Sequence, residues 1–113
     1  TIIKILDYPD EINTPIEKYI CDKFGVYDCK TALAIAKAES GLREDAININ
    51  TNNTIDVGVF QINTVHFKKD GCSLKELVDA YKNVDCAYSI YKANGNFDAW
   101  VTYQNDLHLG FLQ

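Results

Sequence analysis

The stretch Ala38 to Asn63, AESGLREDAININTNNTIDVGVFQIN, holds four carboxylates. Glu44 and Asp45 follow Arg43 in a charged cluster of the kind that faces water. Glu39 and Asp56 stand outside it, in opposite surroundings. Glu39 closes a run rich in alanine, leucine and isoleucine, whereas Asp56 follows Asn48, Asn50, Asn52 and Asn53. Two such acids suit the cleavage of a glycosidic bond. One protonates the leaving oxygen, and the other commonly stabilises or traps the positive charge that develops on the sugar. The first must hold its proton near neutral pH, which an apolar site favours; the second must stay ionised, which polar, wet surroundings permit. Taken singly, a glutamate near a helix exit is an ordinary surface group and an aspartate before a glycine an ordinary turn former. The segment GVFQIN beside them, with polar side chains among large apolar ones, points to a lined cleft. A serine nucleophile is the other chemistry to weigh, because Ser40 adjoins Glu39. No motif supplies it with a histidine, and Ser40 reads as a local capping residue.

The elements that must position these acids are mainly helical. NTPIEKYICDKFG has Asn13 or Thr14 to cap, Pro15 for the first turn and Gly25 for the exit. Its buried face is expected to be Ile16, Tyr19, Ile20 and Phe24. DCKTALAIAKAESG is the clearest helix, with Asp28 as cap, a packed stripe of Ala32, Ile35 and Ala36, and Gly41 as terminator. Glu39 continues that stripe at helical spacing, so an acid sits on the face that should be dry. Asn52-Asn53 marks the tip of a polar hairpin with Asp56 on its return strand. Gly58 then lets the chain turn into a short helix carrying Phe60, Gln61 and Ile62. SLKE, Ser73 to Glu76, is a capping-box pattern opening a helix with Leu74, Leu77, Val78 and Tyr81. Asn83 is expected to cap the next helix, which buries Val84, Ala87, Ile90 and Tyr91 and stops at Gly95. Trp100 and Tyr103 share a face of a last short helix. The first dozen residues carry an apolar start and a break at Pro9. The sum is an α+β fold, mainly α, with one small β-hairpin where the acids meet.

Composition bounds the rest. The chain has 113 residues, 47% apolar and 24% charged, which suits one globular domain over residues 1–113. Its net charge of −5 argues against nucleic acid as a partner. No apolar run approaches the ~20 residues of a membrane span, so membrane insertion is not expected. The chain begins at Thr1 and shows no signal-peptide pattern, so a mature product or an excised domain is expected. Four cysteines, Cys21, Cys29, Cys72 and Cys86, suggest two disulfides and an extracytoplasmic setting: secreted, periplasmic or attached to the cell wall. Proximity in the chain favours Cys21 with Cys29 and Cys72 with Cys86. Zinc is the rival, but the spacings are not those of zinc modules and His66 and His108 are isolated. No metal or other cofactor is expected.

Ala32 to Phe67 resembles the lysozyme superfamily, both animal c-type lysozymes and bacterial soluble lytic transglycosylase domains. The carriers are ES at a helix end, followed by D-x-G-x-x-Q-I-N at the c-type interval. Val84 to Asn105, VDCAYSIYKANGNFDAWVTYQN, resembles the same enzymes, with AW in register. Together the segments cover about half of the chain. The resemblance implies a lysozyme-like fold whose hairpin lies beside the active-site cleft. It implies Glu39 as the acid, Asp56 as the second carboxylate and Trp100 as the wall that keeps Glu39 dry, the established lysozyme device. Asn50, Gln61 and Asn63 match positions that shape the cleft and bind sugar. Tyr103 falls either near the cleft or in the core.

The implied substrate is the peptidoglycan glycan strand, cut between N-acetylmuramic acid and N-acetylglucosamine by a monomeric enzyme. The chain departs from c-type enzymes in carrying His66 and Phe67 where they have paired tryptophans. Only Cys72 and Cys86 resemble their cysteine framework; Cys21 and Cys29 do not. With the acidic balance, this favours a bacterial or phage wall-remodelling enzyme. Two rivals share the scaffold. A lytic transglycosylase closes an anhydro ring with the substrate's own hydroxyl and needs only the glutamate. A non-catalytic glycan-binding protein would resemble the lactalbumin branch, which has lost the acid and keeps a calcium loop. Both acids are present in this chain, and Asp79 and Asp85 supply too few oxygens for calcium.

Overall fold

The computed structural model describes residues 14–112. The apolar start, the break at Pro9 and Asn13 as a cap lie outside the described residues. Helix α1 (Pro15–Phe24) begins at Thr14, whose hydroxyl accepts from the Glu17 amide, and ends at Gly25. Ile20 and Phe24 are buried, with Ile16 and Tyr19 packed partly against the core. Helix α2 (Cys29–Ser40) buries Ala32, Ile35 and Ala36 and stops at Gly41 in the left-handed conformation, φ 67°. Asp28 does not cap it. Its carboxylate instead accepts from the Tyr91 hydroxyl at 2.5 Å, tying the start of α2 to a distant helix. The Cys21–Cys29 disulfide joins α1 to α2.

Three short antiparallel strands follow: β1 (Ile47–Ile49), β2 (Ile55–Val57) and β3 (Ile62–Asn63), in that spatial order. The Asn52-Asn53 turn closes the β1–β2 hairpin, with Asn53 at φ 67°. The third strand corrects an expectation, since Phe60, Gln61 and Ile62 form no helix. Residues 58–61 make a tight turn in which Gln61 adopts φ 51°, and Ile62 pairs with Val57. Gln61 is held there from inside. Its Nε2 donates to the carbonyls of Ala46 and Gly58, each at 3.0 Å, and its Oε1 accepts from Asn48 at 2.6 Å.

The SLKE capping box is present, but its helix α3 (Leu74–Leu77) is a single turn. Leu77 is buried, whereas Leu74, Val78 and Tyr81 are exposed. Asp79 stops the run by accepting from the Lys82 amide at 3.0 Å, which starts helix α4 (Ala80–Asn94). Asn83 is therefore no cap. It lies inside α4, fully buried, and its side chain bonds across to the 57–60 segment. The approach is so close that a Cβ on Gly58 would fall 2.3 Å from Asn83 Nδ2. Only glycine fits. The Cys72–Cys86 disulfide fastens the 67–73 loop to α4, so both pairs favoured by chain proximity form and no cysteine is left for zinc.

Helix α5 (Val101–Gln104) has Trp100 as its N-terminal flanking residue and leads into a 3₁₀ turn over Leu107–Phe111. Phe24, Phe60, Phe97 and Trp100 meet as one aromatic cluster with neighbouring centroids 5.8–6.1 Å apart. The architecture is mainly helical with a small three-stranded antiparallel sheet, the α+β arrangement expected of a lysozyme-like fold. Among the described residues, no helix is long and apolar enough to cross a membrane.

Candidate active site

A cleft of about 340 Å³ opens between the end of α2, the sheet and the start of α5. Glu39 and Asp56 both line it, joined by Gln61, Ile62, Asn63, Ile90 and Trp100. The apolar stripe of α2 brings Glu39 to the cleft half-buried. Ser40 beside it is turned inward, donating to the Val59 carbonyl at 2.7 Å, so it locks α2 to the turn and is no nucleophile.

Glu39 is held uncharged more readily than a free glutamate. Burial pushes its pKa up, the Thr102 hydroxyl pulls it down, and the negative charge of Asp56 pushes it up again. Burial is the largest effect because an anion in a poorly hydrated site loses water that two neighbours do not replace. Trp100 lines the same cleft. It is 4% exposed, and its Nε1 donates to the Phe60 carbonyl at 2.9 Å, so the ring is fixed as a wall.

Asp56 sits on the middle strand, in register with Asn48 on one side and Asn63 on the other. Asn63 Nδ2 donates to Oδ1 at 2.8 Å and Asn50 Nδ2 to Oδ2 at 3.2 Å, one amide for each oxygen. Asn63 is itself fixed, since its Oδ1 accepts from the Val65 amide at 3.1 Å. Of the asparagines that read as a polar hairpin, Asn50 alone holds this carboxylate, and Asn63 joins it from β3.

Several expected site residues divide by position. Asn50 touches Asp56 but does not line the cleft. Gln61 lines it, yet its bonds to Ala46, Gly58 and Asn48 commit its polar atoms to the protein interior. Tyr103 does not line this cleft, its ring lying 5.6 Å from Phe97 and 4.8 Å from His108. Of the pair standing where c-type enzymes carry tryptophans, His66 lines the cleft while Phe67 packs against the core. The His66 pKa is lowered, chiefly by burial and then by Lys69. Thr102 has no signal in the sequence, because a lone threonine in a short helix carries none. Among the described residues, no three His, Cys, Asp or Glu side chains are grouped to hold a metal ion.

One half-dry and one amide-held carboxylate facing a shared cleft make an arrangement that can protonate a leaving oxygen on one side and answer positive charge on the other. The family described as lysozyme-like domain matches residues 23–102, a span that takes in both carboxylates, the three strands and the start of α5. On fold and sequence together, the chain belongs to the lysozyme-like domain family, which acts broadly on peptidoglycan as glycosidases or transglycosylases.

Proposed function

We propose that this protein is a muramidase that hydrolyses the β-1,4 bond between N-acetylmuramic acid and N-acetylglucosamine in peptidoglycan. The observation that carries the reading is the placement of Glu39 and Asp56 on one cleft in unlike surroundings. Glu39 delivers a proton to the glycosidic oxygen as the bond breaks. The oxocarbenium-like charge left on the sugar is met by Asp56, which Asn50 and Asn63 hold in place. Water then completes hydrolysis, with Glu39 now taking a proton back. The two disulfides fit work in an oxidising compartment, which is where peptidoglycan lies. Val65 and Val101 are exposed at 75% and 61% where they line the cleft, and they offer apolar surface to sugar faces.

The test is mass spectrometry of products from purified peptidoglycan. Reducing muropeptides are expected. Anhydro-muropeptides would assign the protein to transglycosylation instead, in which the substrate's own hydroxyl replaces water as the attacking group. Glu39→Gln should lower turnover by ~10²–10⁴, the usual worth of a positioned general acid. Full activity in that variant would remove the enzymatic reading altogether.

A further inference from the structure

The hydroxyl of Thr102 donates to Glu39 Oε2 at 2.9 Å, and among the described residues it is the hydrogen-bond partner of this carboxyl. It comes from α5, on the opposite wall from α2, 63 positions along the chain. We propose that Thr102 is a positioning residue that fixes which oxygen of Glu39 carries the proton: Oε2 is occupied as an acceptor, and Oε1 is left to hold the proton for the substrate. This rests on Glu39 being the acid of the proposed muramidase.

The geometry supports the assignment in three ways. Thr102 follows the buried Trp100, whose indole is anchored to Phe60, so the start of α5 cannot drift from the cleft. The threonine is β-branched and so has few rotamers, which keeps its hydroxyl aimed. On its far side the Thr102 carbonyl lies 3.4 Å from Nδ1 of the buried His108, which braces the same residue from the 3₁₀ turn. The other titratable groups lining the cleft with Glu39 are Asp56 from β2 and His66 after β3. Asp56 acts on Glu39 through space, without a shared hydrogen bond. Thr102 is therefore the group that distinguishes the two oxygens.

The bond also serves the step itself. A hydroxyl donated to a carboxyl oxygen becomes stronger as that carboxyl acquires charge. As the Glu39 proton passes to the leaving oxygen, Thr102 steadies the anion left behind. It draws the acid strength of Glu39 back from the extreme that burial alone would set.

The test follows the Glu39 side-chain carboxyl carbon by NMR through a pH titration, in the wild type, Thr102→Val and Thr102→Ser. Valine keeps the shape and removes the hydroxyl; serine keeps the hydroxyl. The Glu39 midpoint should move to higher pH in the valine variant and return in the serine variant. The turnover number should fall roughly three- to tenfold in the valine variant, about half of a charge-assisted bond being realised at the transition state. The alkaline limb of activity should move upward with the midpoint. An unchanged midpoint in a folded Thr102→Val protein overturns the inference, as does an equal change in the serine variant, which would mean packing. If the midpoint moves as expected while Glu39→Gln still cleaves peptidoglycan fully, the reading of Glu39 as the acid falls instead.

Discussion

Asn83 offers the sharpest test of how the cleft is held open. The side chain is fully buried, and two of its three bonds cross from α4 to the 57–60 segment, the third reaching the end of α3. Nδ2 donates to the Val57 carbonyl at 2.9 Å and the Leu77 carbonyl at 3.0 Å, while Oδ1 accepts from the Phe60 amide at 2.8 Å. Asn83→Ala removes three bonds contributing about 1 kcal/mol each and leaves buried partners unsatisfied, at up to about 2 kcal/mol more for the worst of them. A loss of about 3–5 kcal/mol follows, a large part of the ~5–15 kcal/mol that holds a typical domain together. Near ~4 °C per kcal/mol at this chain length, the melting temperature should fall by about 12–20 °C. Asn83→Asp should be no better despite its shape, because a carboxylate would face two carbonyls. Circular dichroism gives the melting point, and the single tryptophan of the chain gives a local reading. Trp100 donates to the carbonyl of Phe60, the residue whose amide Asn83 holds, so its emission should shift red in the folded variant. A melting point within about 4 °C of wild type means less than about 1 kcal/mol was lost. That outcome would refute the claim that this side chain fastens the cleft.

Other consequences can be measured alongside. Trp100→Ala should admit water to Glu39, lower its pKa and move the alkaline limb of activity to lower pH, whereas Trp100→Phe should hold the limb nearer to wild type; equal limbs in all three proteins would exclude desolvation by this ring. Asn63→Ala removes a donor to Asp56 and the cap of the turn after β3, so cleavage should drop about tenfold with a loss of about 1–2 kcal/mol in stability; wild-type rates would show that Asp56 needs no holder. Because the folded-state pKa of Glu39 is raised, its contribution to stability is fullest in acid and fades as pH rises through that pKa. Glu39→Gln should therefore melt higher than wild type at neutral pH, with the gain vanishing in acid, as thermal melts at two pH values would report. Reduction should lower the melting temperature, since a bridge typically contributes ~2–4 kcal/mol; an unchanged melt after confirmed reduction would count against both bridges being structural.

What the sequence discloses about this site divides by the range of the interactions involved. Glu39 is legible because a helix repeats on itself: an acid four residues beyond Ile35 must share its face, whatever the rest of the chain does. The two disulfides are legible for a similar reason, each joining neighbours in the chain, with separations of 8 and 14. Gly41 and Gly95 stop their helices as local rules require. The errors fall where a side chain answers to a distant partner. Asp28 and Asn83 have the chemistry of caps, and a cap is the local use of such a group. Tyr91, 63 positions away, takes the one. The amide of Phe60, 23 positions away, takes the other. The segment carrying Phe60, Gln61 and Ile62 reads as helix because nothing nearby forbids it. It is a turn because the Gln61 side chain reaches the Ala46 carbonyl and Asn48, which the linear pattern does not pair with it.

The same division explains why the chemistry is only half visible in the sequence. Each carboxylate belongs to a local element, so its type and setting can be read in place. The groups that tune them do not. Asn63 reaches Asp56 only because β3 pairs with β2, and Thr102 reaches Glu39 only because α5 folds back over α2. On the proposed reading, an acid that must keep its proton and a carboxylate that must answer positive charge cannot share one local environment, since what favours the first penalises the second. Separating them onto a helix and a sheet solves that conflict, and it makes the cleft depend on long-range contacts. The Asn83 bridge between α4 and the 57–60 segment is one of those contacts. On the proposed reading it serves the function as well as the fold: loosening it should disturb the relation between Glu39 and Asp56 before either side chain is touched.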